Sequence, residues 1–360
     1  MVSITNISQG QAQHYYQKDD YYSRGTGTWQ GKGAEALGLE GEVKKEDFQA
    51  LLAGRDPGGR FDMSSPDHRA GTDLTFSAPK SVSILALVAG DERVRQAHED
   101  AVRKTLSYVE EHYSQTRQQQ DGERVRVNTG NLVVATFQHE TSRELDPQLH
   151  THCVVMNMTQ RPDGEWRALS NEEIYSQKML IGQYFRNELA KNLREQGYSI
   201  RSDSRGFFEV EGVPQELIDR FSQRSQQVRE RAEELREKMP NVGESELKEM
   251  ACLDSRKAKG EVDIEQVRQG WREEVEKAGY NIENLRNLTK YRNKEHEKPD
   301  PRETVAQAGM ILAETESVFT REDIMKTSAT ISLGHHSMDE IEKAIDSSPG
   351  LVRLDEKHYT

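Results

Sequence analysis

Apolar and polar residues alternate through MVSITNI (1–7), the two-residue period of a strand with one buried face. A second alternating run, TDLTFSAP (72–79), places Asp73, Thr75 and Ser77 on one face and Leu74 and Phe76 on the other, and Pro79 suits the first turn of a following helix. The period then lengthens: DERVRQAHEDAVRKTLSYVEEHY is an amphipathic helix with Val94, Ala97, Ala101, Leu106 and Val109 among its apolar positions. NLVVATFQH and HTHCVVMNMT are predicted strands, and RPDGEW is a turn. A helix is expected from Ser170, where Glu173 completes a capping-box pattern, as far as the stop at Gly197. YSIRS and GFFEVEG form a hairpin pattern. From Pro214 to about Asn293 the text is helical and charged, with a break around Pro240–Gly243.

These elements predict an α+β fold. A central antiparallel β-sheet carries helices on one face, and residues 214–293 form a further, charged helical region. KEHEKPDP (294–301) reads as a linker, so residues 1–298 are expected to be one domain. Residues 299–360 are expected to begin a second, truncated one.

Composition narrows the function. The chain has 360 residues and a net charge of -13, which argues against a protein that coats DNA in bulk but leaves room for a local positive groove. No stretch approaches 18 consecutive apolar residues, and the opening MVSITNISQG lacks the blocks of a secretory signal, so no membrane insertion is expected. Cys153 and Cys252 are the only cysteines, which fits a reducing cytoplasm.

The chemistry concentrates in HETSRELDPQLHTH (139–152). His150 and His152 share a strand face, and His139 ends the preceding strand. If the two strands pair, three imidazoles converge, a donor set for a divalent transition metal that leaves a coordination position open. Cys153 points to the opposite face and is expected to pack. A second cluster, HYYQKDDYY (14–22), holds Tyr15, Tyr16, Tyr21 and Tyr22. A tyrosine becomes a useful nucleophile only beside a base or a cation, which a metal site can supply. Asp73 is placed to orient a metal-bound histidine or to take a tyrosine proton.

Taken with WQGKGAEALGL (29–39), AGTDLTFSAPKSVS (70–83), GEWRALS, LREQGYSI and ACLDSRKAKG (251–260), these motifs resemble the relaxase domain of MobF-type conjugative relaxase–helicases, within the HUH endonuclease superfamily. The resemblance covers about 300 residues and implies a palm-like sheet with a C-terminal helical lid, about residues 214–293, that folds over the DNA. It implies cleavage of single-stranded DNA at an origin of transfer through a 5′-phosphotyrosine, followed by rejoining. By family position Tyr15 is the primary nucleophile, with Tyr21 as the second. His139, His150 and His152 hold a divalent ion (Mg²⁺ or Mn²⁺, with Zn²⁺ or another transition metal as alternatives), and Asp73 stands beside them. Tyr21 follows Tyr15 by six residues, about 120° away on a helix, whereas Tyr22 at seven nearly restores the face, so Tyr22 and Tyr16 remain alternates. The implied partners are origin DNA, accessory relaxosome proteins, a coupling protein and a C-terminal helicase region. A rolling-circle replication initiator and a non-catalytic metal protein that binds single strands are the competing readings.

For DNA contact the candidates are Arg143, in the histidine loop, Lys80 and Arg256, with Arg24, Lys32, Lys257 and Lys259 as further cations. Trp29, Trp166, Tyr184 and Phe185 are candidate base-stacking aromatics, for each of which core packing is the competing role.

Overall fold

The computed structural model describes residues 1–8, 10, 27–65, 68–120, 122–254, 263–291, 298–355 and 357–360. The expected sheet is present, with five antiparallel strands: β1 (Val2–Ile7), β2 (Thr28–Gln30), β3 (Gly71–Ser77), β4 (Val134–Thr141) and β5 (Pro147–Met156), in the order β1-β3-β5-β4-β2. Gly71 at the start of β3 is required by close approach, because a Cβ there would lie 2.6 Å from the Val155 carbonyl oxygen of β5.

The pleat separates two faces. Leu74 and Phe76 of β3, Val134 of β4 and Cys153 and Val155 of β5 enter one core, the back of the sheet. The front has two halves. Ile7, Ala135, Phe137, Val154 and Met156 make an apolar half, covered by Phe48 and Leu51 of α1 (Lys45–Leu52), with the Phe48 and Phe137 rings 5.2 Å apart. The other half carries polar side chains and is described below.

Two long helices cover the back. In α2 (Glu92–Tyr113), Asp91 caps the first turn by accepting a 3.0 Å bond from the Arg93 amide, and Val94, Ala97, Ala101, Leu106 and Val109 are buried as the period requires. The helix expected from Ser170 starts later. A short turn spans Glu172–Ser176, and α3 runs over Lys178–Glu195. No side-chain cap forms there; the Ser170 amide instead donates to Gln115 O, and the Asn171 side chain is tied to Asn6 and Thr72. Tertiary partners outcompete the local box.

The charged region supplies α4 (Gln223–Lys238), α5 (Glu244–Asp254) and α6 (Ile264–Lys277). The last segment supplies α7 (Pro301–Ala313), α8 (Arg321–Ile331) and α9 (Met338–Ser347). These last helices dock on α3: Asn187 bonds His336 O at 2.8 Å and the Gly334 amide at 2.9 Å, and Glu188 accepts from the Met338 amide at 2.7 Å. Val305, Ile324, Met325 and Ile341 join the back core. Among the described residues no helix is long and apolar enough to cross a membrane.

Candidate metal centre

Strand register assembles the three histidines. His139 of β4 lies directly opposite His150 of β5, and Phe137 opposite His152. Because alternate residues share a face, His150 and His152 project together to the front beside His139. Ring centroids are 5.4 Å (His139–His150), 5.1 Å (His139–His152) and 5.2 Å (His150–His152) apart. One nitrogen from each ring lies within 4.8 Å of the other two. His150 and His152 are buried and His139 is half-buried.

The second nitrogens of two rings are already engaged. His150 Nδ1 lies 2.8 Å from Gln148 O; a carbonyl only accepts, so the proton sits on Nδ1 and the Nε2 lone pair is left for a ligand. His152 Nδ1 lies 2.7 Å from Asp73 Oδ2, which fixes the same tautomer, and 3.1 Å from Thr75 Oγ1. Thr75 stands opposite His152 across β3 and β5, so Asp73, two residues back on the same face, meets the ring on the diagonal. Two imidazoles with their outer nitrogens held by a carboxylate and a backbone carbonyl form a donor set that suits a divalent cation. Cys153 is buried on the opposite face, as expected.

The turn after His139 is held from several sides. Ser142 and Asp146 close it, with the Ser142 amide 2.9 Å from Asp146 O and the Asp146 amide 3.1 Å from Ser142 Oγ. Leu145 adopts φ 61°, a left-handed conformation that costs a residue with a Cβ about 1–2 kcal/mol. Its carbonyl accepts from Trp271 Nε1 of α6 at 2.7 Å. Glu140, next to His139, receives Arg268 of α6 through bonds of 2.8–3.0 Å and Arg95 of α2 at 3.0 Å.

The remaining candidates fall in varied places. Lys80 turns inward and donates to Pro147 O at 2.8 Å, with burial pulling its ammonium down to about 8. It braces the start of β5. Burial pushes the Asp146 carboxyl above its ordinary range. Arg143 sits half-buried in the turn. Trp29 and Trp166 are buried in the front core, and Tyr184 and Phe185 in the back core, so packing occupies all four aromatics. Tyr15, Tyr16, Tyr21, Tyr22 and Arg256, with Arg24, Lys257 and Lys259, lie outside the described residues.

Sequence reasoning missed Glu140, Arg268 and Trp271, whose pairing spans more than a hundred residues. The one available signal was a lone tryptophan on the apolar stripe of a charged helix. It also missed the two-stranded ribbon Gln115–Gln120 with Glu123–Asn128, signalled only by an Asp-Gly pair at 121–122. Apart from Thr116 its residues are exposed or half-buried, and it projects Arg117, Arg124 and Arg126.

The chain is similar in sequence and fold to several known proteins. The family model for the TrwC relaxase matches residues 9–278. The multifunctional conjugation protein TraI of Escherichia coli strain K12 is 38% identical over 355 residues, covering 90% of this chain. The chain spans only 19% of that protein's length. Among solved structures, the conjugative relaxase TrwC in complex with oriT DNA, copper-bound, is 42% identical with a TM-score of 0.70. TrwC complexed with a 27-mer DNA comprising the recognition hairpin and the cleavage site is 41% identical with a TM-score of 0.71. Each covers 78% of this chain and 100% of its own. With three quarters of its length matched by the family model and its sheet matched in the solved structures, this chain belongs to the TrwC relaxase family.

Proposed function

We propose that this chain is a conjugative DNA relaxase that cuts one strand of an origin of transfer and later rejoins it. The observation that carries the reading is the three-histidine cluster braced by Asp73, in a chain of this family. His139, His150 and His152 are the metal ligands, with Mg²⁺ or Mn²⁺ as the working ion and Zn²⁺ or another transition metal as alternatives. Bound there, a divalent cation withdraws charge from a non-bridging phosphate oxygen and makes the phosphorus more electrophilic.

The protein groups do the rest. Asp73 accepts the His152 Nδ1 proton in a hydrogen bond, which holds the ring's orientation and raises its donor strength. Tyr15 attacks the scissile phosphate. A bond forms between its phenol oxygen and phosphorus, and the bond from phosphorus to the 3′ oxygen breaks. The phenol gives up its proton, and the departing 3′ oxygen gains one to become a hydroxyl. A phosphodiester replaces a phosphodiester, so rejoining needs no nucleotide hydrolysis. Tyr21, or Tyr22 if the arm is helical, serves a second transfer.

Two surfaces suit the DNA. The exposed ribbon carrying Arg117, Arg124 and Arg126 has the width to enter the major groove of a duplex stem, and the TrwC complex above was formed with a DNA containing a recognition hairpin. Helices α4–α6, a lid on the histidine turn, close over the single strand. The protein acts in the cytoplasm of the donor cell, with relaxosome and coupling proteins as partners. Incubation with a labelled origin oligonucleotide and Mn²⁺ tests the reading. Cleavage at one position that vanishes in His150→Ala supports it, and binding without cleavage contradicts it.

A further inference from the structure

Behind the sheet, away from the histidines, α3, α7, α8 and the turn at Ser204–Arg205 enclose a cleft of about 350 Å³. Three cations line it (Arg186, Arg205 and Lys326) and no acidic side chain does, in a chain where acids outnumber bases by 62 to 49, although Arg205 and Lys326 each reach a carboxylate just outside it, Asp203 at 2.9 Å and Asp323 at 3.4 Å.

Arg186 is the unusual member. It is only 7% exposed, and its Nε and Nη2 donate to the neutral Gln183 Oε1. Its guanidinium lies 4.5 Å from the Phe207 ring centroid. Among the described residues no carboxylate comes within ion-pair reach of it. Asp203, whose charge acts on it, is paired with Arg205 at 2.9 Å. Burial pulls the Arg186 guanidinium down to about 10, further than the nearby charge of Asp203 raises it. A buried charge with no carboxylate in contact is costly, and an anion in the cleft would offset that cost.

The floor is built to hold this arginine. Gln183 is fixed by its Nε2 bond to Ala329 O at 3.1 Å. Gly206 has φ +74°, and a Cβ there would lie 2.7 Å from the Gln183 amide, so the turn can press on Gln183 only with glycine. The Thr327 hydroxyl adds a donor on the α8 side, that of Thr330 giving its proton to Lys326 O at 2.8 Å, while Ile311 and Ile331 form an apolar wall, each more than a third exposed. Guanidinium, ammonium and hydroxyl groups together suit a phosphate, and an adjacent apolar wall of this size suits a nucleobase.

We propose that this cleft is a second binding site that takes a nucleotide, its phosphate on Arg186, Arg205 and Lys326 and its base against Ile311 and Ile331. The nucleotide is either free or part of a strand running behind the sheet. The site is separate from the histidine centre, so its failure leaves the strand-cutting reading intact.

Equilibrium dialysis of the full chain with labelled deoxyadenosine monophosphate tests it. Low-millimolar or tighter retention is expected. The rim double variant Arg205→Ala/Lys326→Ala and, separately, Thr330→Glu should each weaken retention by at least about tenfold, with cutting of origin DNA unchanged. Both change exposed or half-buried residues and spare the buried Arg186. Displacement of the label by an unlabelled oligothymidylate identifies a strand as the natural occupant, and persistence of the label identifies a free nucleotide. No retention by the wild type, or retention equal in wild type and both variants, overturns the proposal.

Discussion

Asp73 Oδ2 and His152 Nδ1 are 2.7 Å apart, joined diagonally across β3 and β5 on the one face that also carries His139 and His150. The carboxylate sets which imidazole nitrogen faces outward, so Asp73→Ala should leave the ligands in place but loosen one of them. Removal of such an outer partner typically costs 10–100-fold in metal affinity. Titration of the variant with Mn²⁺, followed by the loss of free-ion EPR signal, checks this. An unchanged affinity would show that the strands alone orient the ring.

Lys80 gives a pH signature. Its folded-state pKa is depressed to about 8 from an ordinary lysine value of 10.5, so burial penalises its charged form. Between those values the unfolded chain binds more protons than the folded one, and stability contributed at this site rises with pH. Below about pH 8 the full penalty applies. Urea denaturation should therefore show the wild type gaining stability relative to Lys80→Met from pH 8 towards pH 10. Parallel curves would place the ammonium in solvent.

The Glu140–Arg268 pair fastens α6 beside His139, with side chains 16% and 31% exposed. Loss of its charge-assisted bonds in Arg268→Ala should destabilise the chain by about 1–3 kcal/mol and leave Glu140 to Arg95 alone. Limited proteolysis should then cut α4–α6 faster than in the wild type, and origin DNA should restore protection. Equal digestion rates would mean that the other anchors of the helix, Trp271, Val275 and the Glu274–Arg220 pair, hold it without Arg268.

Arg124 is exposed on the ribbon and tests its role. If the ribbon grips a duplex stem as proposed, Arg124→Ala should weaken binding of an oligonucleotide with a hairpin stem by about tenfold, against a smaller effect on a single-stranded oligonucleotide. Fluorescence anisotropy with the two DNAs measures the ratio. An equal loss on both would make Arg124 a general phosphate contact.

Much of this site was legible because β structure has a period of two. The spacing of His150 and His152 dictates a shared face, and two apolar strands flanking a short loop predict the pairing that brings His139 alongside. Asp73 was legible as a face, since Leu74 and Phe76 had to point the other way. What the sequence hid is what distant elements do to each other. Nothing local announces that Glu140 receives Arg268, or that Leu145, with no glycine to ease it, turns left-handed under Trp271. Ser170 and Glu173 show the reverse case, a sound local signal overridden because Ser170 and Asn171 found partners in Gln115, Asn6 and Thr72. Lys80 reads as a free cation in sequence and becomes a brace only once Pro147 is beside it.

The most direct test of the central claim is mass-spectrometric mapping of the covalent adduct formed with an origin oligonucleotide labelled at its 3′ end. A labelled peptide carrying the DNA on Tyr15 is expected. The adduct should be lost in Tyr15→Phe, in His150→Ala and on chelation of the metal. Cleavage that leaves no protein-linked DNA, or an adduct that survives both substitutions and chelation, would contradict it.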